Sequence, residues 1–178
     1  MDAKTLIDKY LPEYTYNEYH AIIINCPITK CYEVAKDFDL SKSKLIKTLF
    51  KMRGVPTSNM NLQGLILNMG FTNLEEQFPT ENLIGFWAKK KIEQVTCHKD
   101  FVENSISARI KVAWNFRFEK LNSNQTHVST ETRVLCVSLI TKVFFSIYWL
   151  FIKPFSGAIR KKMLLIVKRE AELIETKG

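Results

Sequence analysis

Glycine and proline are scarce in this 178-residue chain, six and five residues respectively, which argues against long unstructured tracts and linkers. Its four cysteines (Cys26, Cys31, Cys97, Cys136) include no C-x-x-C pair, and no downstream Cys/His pair completes a zinc pattern. Disulfide scaffolds and zinc modules therefore find no support, and the thiols are expected to be reduced and buried. The opening MDAKTLIDKYLPEY has no apolar stretch of signal-peptide length, and Asp2 stands where myristoylation needs glycine. A cytoplasmic protein is the resulting expectation. There is no GxSxG, P-loop or GxGxxG, so the common nucleophile and nucleotide signatures are missing. His20, His98 and His127 are far apart, form no i, i+4 pair and have no evident acid partner. Structural roles are expected for all three, with no metal and no cofactor.

What is present is an apolar fraction of 46% with 12% aromatics, enough for one domain, residues 1–178, with its own core. Lys and Arg outnumber Asp and Glu by 26 to 18, a net charge of +8, which favours phosphate or an anionic membrane surface. The basic runs Lys89-Lys90-Lys91 and Arg160-Lys161-Lys162 are not interleaved with aromatics. They read as solvated faces, and nucleic acid is not an expected partner.

Patterning supplies the architecture. Ala3 to Tyr10 reads as a short helix and Tyr19 to Cys26 as a strand ended by Pro27. Ile28, Cys31, Tyr32, Ala35 and Phe38 recur at helical spacing. A second helix follows, capped by Ser41, with Leu45, Leu49 and Met52 on its apolar side. Asn61 to Met69 is a third, ended by Gly70 in a left-handed cap. Phe71 to Phe78 and Leu83 to Ala88 flank a turn-rich Pro79-Thr80-Glu81-Asn82 and form a hairpin.

Ser105 to Glu119 alternates most clearly, with Ile106, Ala108, Ile110, Val112, Trp114, Phe116 and Phe118 on one side and Arg109, Lys111, Asn115 and Arg117 on the other. After a turn at Asn122-Ser123-Asn124-Gln125, Thr126 to Ser138 returns as its partner. Matching the even positions places Trp114 beside Thr132 and Asn115 beside Glu131. One face is then apolar with hydroxyls and the other charged, with Glu131, Arg133 and His127 in a cross-strand ladder.

From Ile140 onward the chain reads as helix, with Phe144, Tyr148, Phe151, Phe155 and Ile159 in a stripe continuing through Met163, Ile166 and Leu173. Pro154 is expected to kink it or to start a second piece. Val134 to Ile152 is apolar enough to imitate a membrane span, but Lys142 interrupts it and strand alternation claims its beginning. A core helix is preferred, with peripheral membrane contact through Phe144, Phe145, Trp149 and the basic cluster as a minority reading.

This α+β order, a strand, short helices, antiparallel strands and one long C-terminal helix, resembles the helix-grip fold of the START and SRPBCC superfamily. That superfamily includes polyketide cyclases and the birch-pollen allergen. AWNFRFEKL (Ala113 to Leu121), STETRV (Ser129 to Val134), the tail YWLFIKPFSGAIRKKML and the opening LIDKYLPEYTYNEYHAIIINCPITKCYEVAKDFDLSKSKLIKTLFKMRG are similar to a bacterial group within it. The resemblance implies a curved antiparallel sheet wrapped around the last helix, and a cavity between them for an apolar molecule. The residues expected to line it are Trp114, Phe116, Thr132, Tyr148 and Phe151.

Three roles follow. The leading one is a non-catalytic carrier or sensor of a small hydrophobic ligand such as a lipid or polyketide. The second is a cyclase, aromatase or dehydratase, in which Glu76 or Tyr148 moves a proton. Glu76 shares strand parity with Leu74, and an inward position would raise its pKa by desolvation, with Arg53, Arg109 or Tyr148 as its partner; a strand-end carboxylate in water or in an ion pair is the preferred reading. The third is a peripheral membrane or partner-binding protein that uses the basic C-terminal helix.

Overall fold

The computed structural model describes residues 5–52, 57–58, 60–61, 63–64, 66, 70–88, 92–93, 95, 98–103 and 109–175. In chain order these form α1 (Leu6–Tyr10), β1 (Tyr16–Ile24), α2 (Ile28–Asp37), a 3-10 turn (Leu40–Lys42), α3 (Lys44–Met52), β2 (Thr72–Gln77), β3 (Glu81–Ala88) and β4 (Ile92–Glu93). α4 (His98–Glu103), β5 (Ile110–Asn122), β6 (Gln125–Cys136) and α5 (Leu139–Glu175) complete them. The strands make one antiparallel sheet in the order β1-β6-β5-β3-β2, with β4 on the end of β3.

The β5–β6 pairing matches Trp114 to Thr132 and Asn115 to Glu131, the register set by keeping the even positions together. Those positions, Val112, Trp114, Phe116 and Phe118 with Val128 and Val134, face the main core. That core is closed by Tyr32, Ala35 and Phe38 of α2 and by Ile159, Met163, Leu164, Val167 and Ala171 of α5. A sheet gripping a C-terminal helix is the helix-grip arrangement.

The opposite face is not the solvated ladder the alternation implied. α1 and α4 cover it, and Leu6, Ile7, Tyr10, Leu11, Leu83, Trp87, Val95, Phe101 and Ala113 form a second core there. The charged groups beneath this cover are buried and partnered, because an unpaired buried charge costs more than its hydrogen bond returns. Arg133 donates to the Leu11 carbonyl at 3.1 Å, reaches Asp8 at 2.7 Å and Glu131 at 2.7 Å, and thereby ties α1 to the sheet. Lys111 Nζ donates to the carbonyls of Phe101 at 2.7 Å and Val102 at 3.1 Å, which lie at the open C-terminal end of α4. The ladder itself exists at the margin, where His127 meets Glu119 at 3.0 Å.

Other local expectations shift. Ser41 sits in the 3-10 turn capped by Asp39, and it is Ser43 whose hydroxyl accepts the Ile46 amide at the start of α3. Ile46 and Phe50 face the core from α3, whereas Leu45 is exposed. Leu49 and Met52 have side chains outside the described residues, as do most of Asn61 to Met69, Lys89 to Lys91 and Ser105 to Ala108. Gly70 has φ 72°, the left-handed conformation expected of it. Pro154 lies inside a helix assigned without interruption over 37 residues, so it neither ends α5 nor begins it. Cys26, Cys31 and Cys136 are buried thiols in no disulfide, and burial pushes the Cys31 thiol up to about 12; Cys97 lies outside the described residues.

Candidate functional site

The one concentration of buried polar side chains between sheet and helix, among the described residues, forms where β1 and β6 pass under the middle of α5. The register sets Glu18 of β1 against Thr132 of β6, and Thr132 against Trp114 of β5. His20, two residues along β1, lies on the same face and its Nε2 is 3.1 Å from Glu18 Oε1. From above, Arg160 Nε donates to Thr132 Oγ1 at 3.0 Å, Nη2 donates to the same oxygen, and Nη1 donates to Ser156 Oγ at 2.6 Å. The guanidinium lies over the Trp114 ring, 5.3 Å from its centroid. Trp114 Nε1 in turn donates to Thr130 Oγ1 at 2.6 Å.

Glu18 carries the feature that sets the cluster apart. Its Oε1 is held by His20, but Oε2 is buried without a hydrogen-bond partner and faces Arg160 Nη1 at 4.0 Å. Gly157 makes this approach possible, since a Cβ there would lie 2.7 Å from Glu18 Oε1. Around the polar centre the wall is aromatic: Trp114 packs on Phe71 and Phe116, and Phe116 on Phe38, with centroids 5.5 to 5.9 Å apart.

Of the residues expected to line a cavity, the structure brings Trp114, Phe116 and Thr132 together here. Tyr148 and Phe151 do not join them. They are 43% and 65% exposed, because only a stripe along the first half of α5 leans on the body, with Phe145 and Trp149 5.3 and 5.6 Å from the Tyr16 ring. Tyr148 instead lines an open groove of about 400 Å³ with Arg109, Ile110, Ile140 and Phe144. A larger groove of about 580 Å³ runs along the other end of α5, between Ser43 and Lys162, Ile166, Arg169 and Leu173.

Glu76 is not a desolvated acid. A bulge between Asn73 and Glu75 breaks the parity with Leu74, so Leu74 packs into the outer core while Glu76 meets α2. Lys36, at 2.7 Å, and the Tyr32 hydroxyl, at 2.8 Å, hold its carboxyl below the ordinary range rather than above it. Arg53, one of its proposed partners, lies outside the described residues. Glu76 is in register with Asn82 and Phe116, while the Tyr148 groove begins at Ile110; six residues of strand separate the two by about 20 Å.

Sequence reasoning missed Glu18, His20, Ser156 and Arg160. The available signal was two polar residues at i, i+2 on the face of β1 that also carries Ile22 and Ile24, but beginning the strand at Tyr19 left Glu18 outside it.

No protein-family model and no curated protein matches the sequence. Solved structures of similar arrangement include a hypothetical protein of Helicobacter pylori, 11% identical over 96% of this chain and 97% of that one, with a TM-score of 0.45. A protein of Thermus thermophilus is 11% identical over 89% of this chain and 99% of its own, at 0.41. The Zhui aromatase/cyclase of a Streptomyces species is 11% identical over 88% and 93%, at 0.35. The likeness is loose, and the architecture stands on the strand order and register given above.

Proposed function

We propose that the protein binds a small hydrophobic molecule carrying one hydrogen-bonding group, held between the sheet and α5 with that group at Glu18, Arg160 and Thr132. The buried Glu18 oxygen without a partner carries this reading. Burying a carboxylate beside a guanidinium costs several kcal/mol before any attraction is counted, and an apolar core of the same shape serves folding as well or better. A hydroxyl, or the O–H of a protonated carboxyl, that donates to Glu18 and accepts from Arg160 would complete the set, and Trp114, Phe116 and Phe71 supply the apolar wall such sites need.

Binding without turnover is preferred to a cyclase-type role. Of the proton carriers that role invokes, Glu76 is engaged by Lys36 and Tyr32, and Tyr148 is exposed on an open groove apart from Trp114 and Thr132.

Native mass spectrometry and solvent extraction of the purified protein, followed by fluorescence titration with long-chain alcohols and acids, test the reading. A one-to-one complex is expected, weakened about tenfold or more by Glu18→Gln or Arg160→Lys, as for loss of a charged hydrogen bond. A wild type that neither retains nor takes up an apolar probe overturns it.

A further inference from the structure

The first half of α5 presents an apolar surface that the fold leaves uncovered. Leu139 is 81% exposed, Phe144 70%, Leu150 73% and Phe151 65%. Ile140, Val143, Ile147, Tyr148 and Phe155 are exposed with them. At 3.6 residues per turn, all nine fall in one arc of about 180°. Lys142, Ser146 and Lys153 fall on one narrow flank, and Phe145 and Trp149 point back to Tyr16. α5 is long and apolar enough by composition to cross a membrane, yet only 6% of its most apolar stretch is buried. A core helix shows the reverse.

Charge identifies the partner. From Thr132 to Arg169 the sequence has no Asp or Glu and eight Lys or Arg. Along the outer side of α5 the apolar arc gives way after Phe155 to Lys161 and Lys162, about 9 Å further on, both exposed. A second copy of the chain would bring these like charges together, and a nucleic acid would have no use for the apolar arc. A bilayer of anionic lipids takes both, the acyl region receiving Phe144, Leu150 and Phe151 and the phosphates receiving the lysines. A lying helix is preferred to a span because Lys142 and Lys153 interrupt the apolar stretch and Phe145 and Trp149 hold one side of the helix on the body.

We infer that the protein docks on anionic membrane surfaces through the exposed arc Leu139 to Phe155 of α5, the helix lying in the interface plane with its body on the aqueous side. This rests on exposure and charge and is independent of any ligand at Glu18. In the dock, Tyr148 and the groove it lines face the lipid.

The test is flotation of the full chain with vesicles of phosphatidylcholine alone or mixed with phosphatidylglycerol, at low and high salt. The wild type is expected to float with the mixed vesicles and to lose part of that binding as salt rises. Phe144→Glu with Phe151→Glu should abolish flotation. Lys161→Glu with Lys162→Glu should lower partition into mixed vesicles by about tenfold or more and leave phosphatidylcholine unaffected. All four side chains are exposed, so circular dichroism should be unchanged. Sedimentation of the lipid-free protein separates the alternative. A wild type that never floats, a Phe144/Phe151 variant that floats equally well, or a stable dimer dissolved by those substitutions overturns the inference.

Discussion

A glycine inside a helix lowers helix stability by about 1 kcal/mol relative to alanine, so Gly157 in the middle of α5 needs a reason. That reason is Glu18, whose Oε1 would lie 2.7 Å from an added Cβ, with His20 at 3.4 Å behind it. Gly157→Ala is therefore expected to lose about 1–2 kcal/mol despite alanine's better propensity, because the carboxylate must leave His20 or the helix must lift. Thermal denaturation measures it, and a double mutant with Glu18→Ala should recover most of the loss. Non-recovery would place the strain elsewhere. Glu76 tests a second residue-scale claim. Its carboxyl titrates below the ordinary 4.5 because Lys36 and Tyr32 donate to its charged form. A depressed folded-state pKa stabilises above the unfolded value and is lost as pH falls through the folded one. Glu76→Gln should thus lower stability slightly near neutral pH, by less than about 1 kcal/mol for so exposed a pair, seen as a small drop in melting temperature, and converge with the wild type in acid. Parity with Leu74 admitted an inward Glu76 beside the preferred ion-pair reading, which its contact with Lys36 bears out, and Glu18 stayed invisible. The bulge that reverses one and the early strand start that admits the other are backbone events with no residue-type signature.

At the scale of elements, alternation and helical spacing were legible because each reports one-sided burial, and β5, β6 and α2 have it. α5 shows the limit of that logic. A continuous apolar stripe along 37 residues looks like one buried face, but the body buries it fully only over the second half and holds the first half along a narrow edge at Phe145 and Trp149. Ile159, Met163 and Val167 are buried there, while Leu139, Phe144 and Leu150 stand in the open. Periodicity records which side of a helix is apolar and cannot say where its cover ends. The asymmetry is measurable in the lipid-free protein. Met163→Ala should cost about 2–5 kcal/mol, the range for a fully buried large side chain, and Leu150→Ala about 0.5 kcal/mol or less. Equal losses in urea denaturation would mean that α5 is covered along its whole length.

At the scale of the molecule, two cores share one sheet. β5 sends Val112, Trp114 and Phe116 into the core under α5 and Ala113 into the core under α1 and α4, while β3 divides Ile84 and Leu83 in the same way. The second core was hidden in the sequence because its sheet positions include Lys111, Asn115 and Arg133, residue types that ordinarily mark a wet face. They are dry because short helices carry their partners to them. Neither core can come apart without breaking strands the other needs, so residues 1–178 should unfold as one unit. The tryptophans give each core its own reporter, Trp87 outside and Trp114 inside. With Trp149 replaced by phenylalanine, variants keeping only Trp87 or only Trp114 should each show a urea midpoint and slope that coincide with that variant's own loss of far-ultraviolet dichroism. If the Trp87 transition instead preceded the loss of secondary structure, α1 and α4 would be a separable cover, and Arg133 would be a latch between them and the sheet rather than part of a single cooperative core.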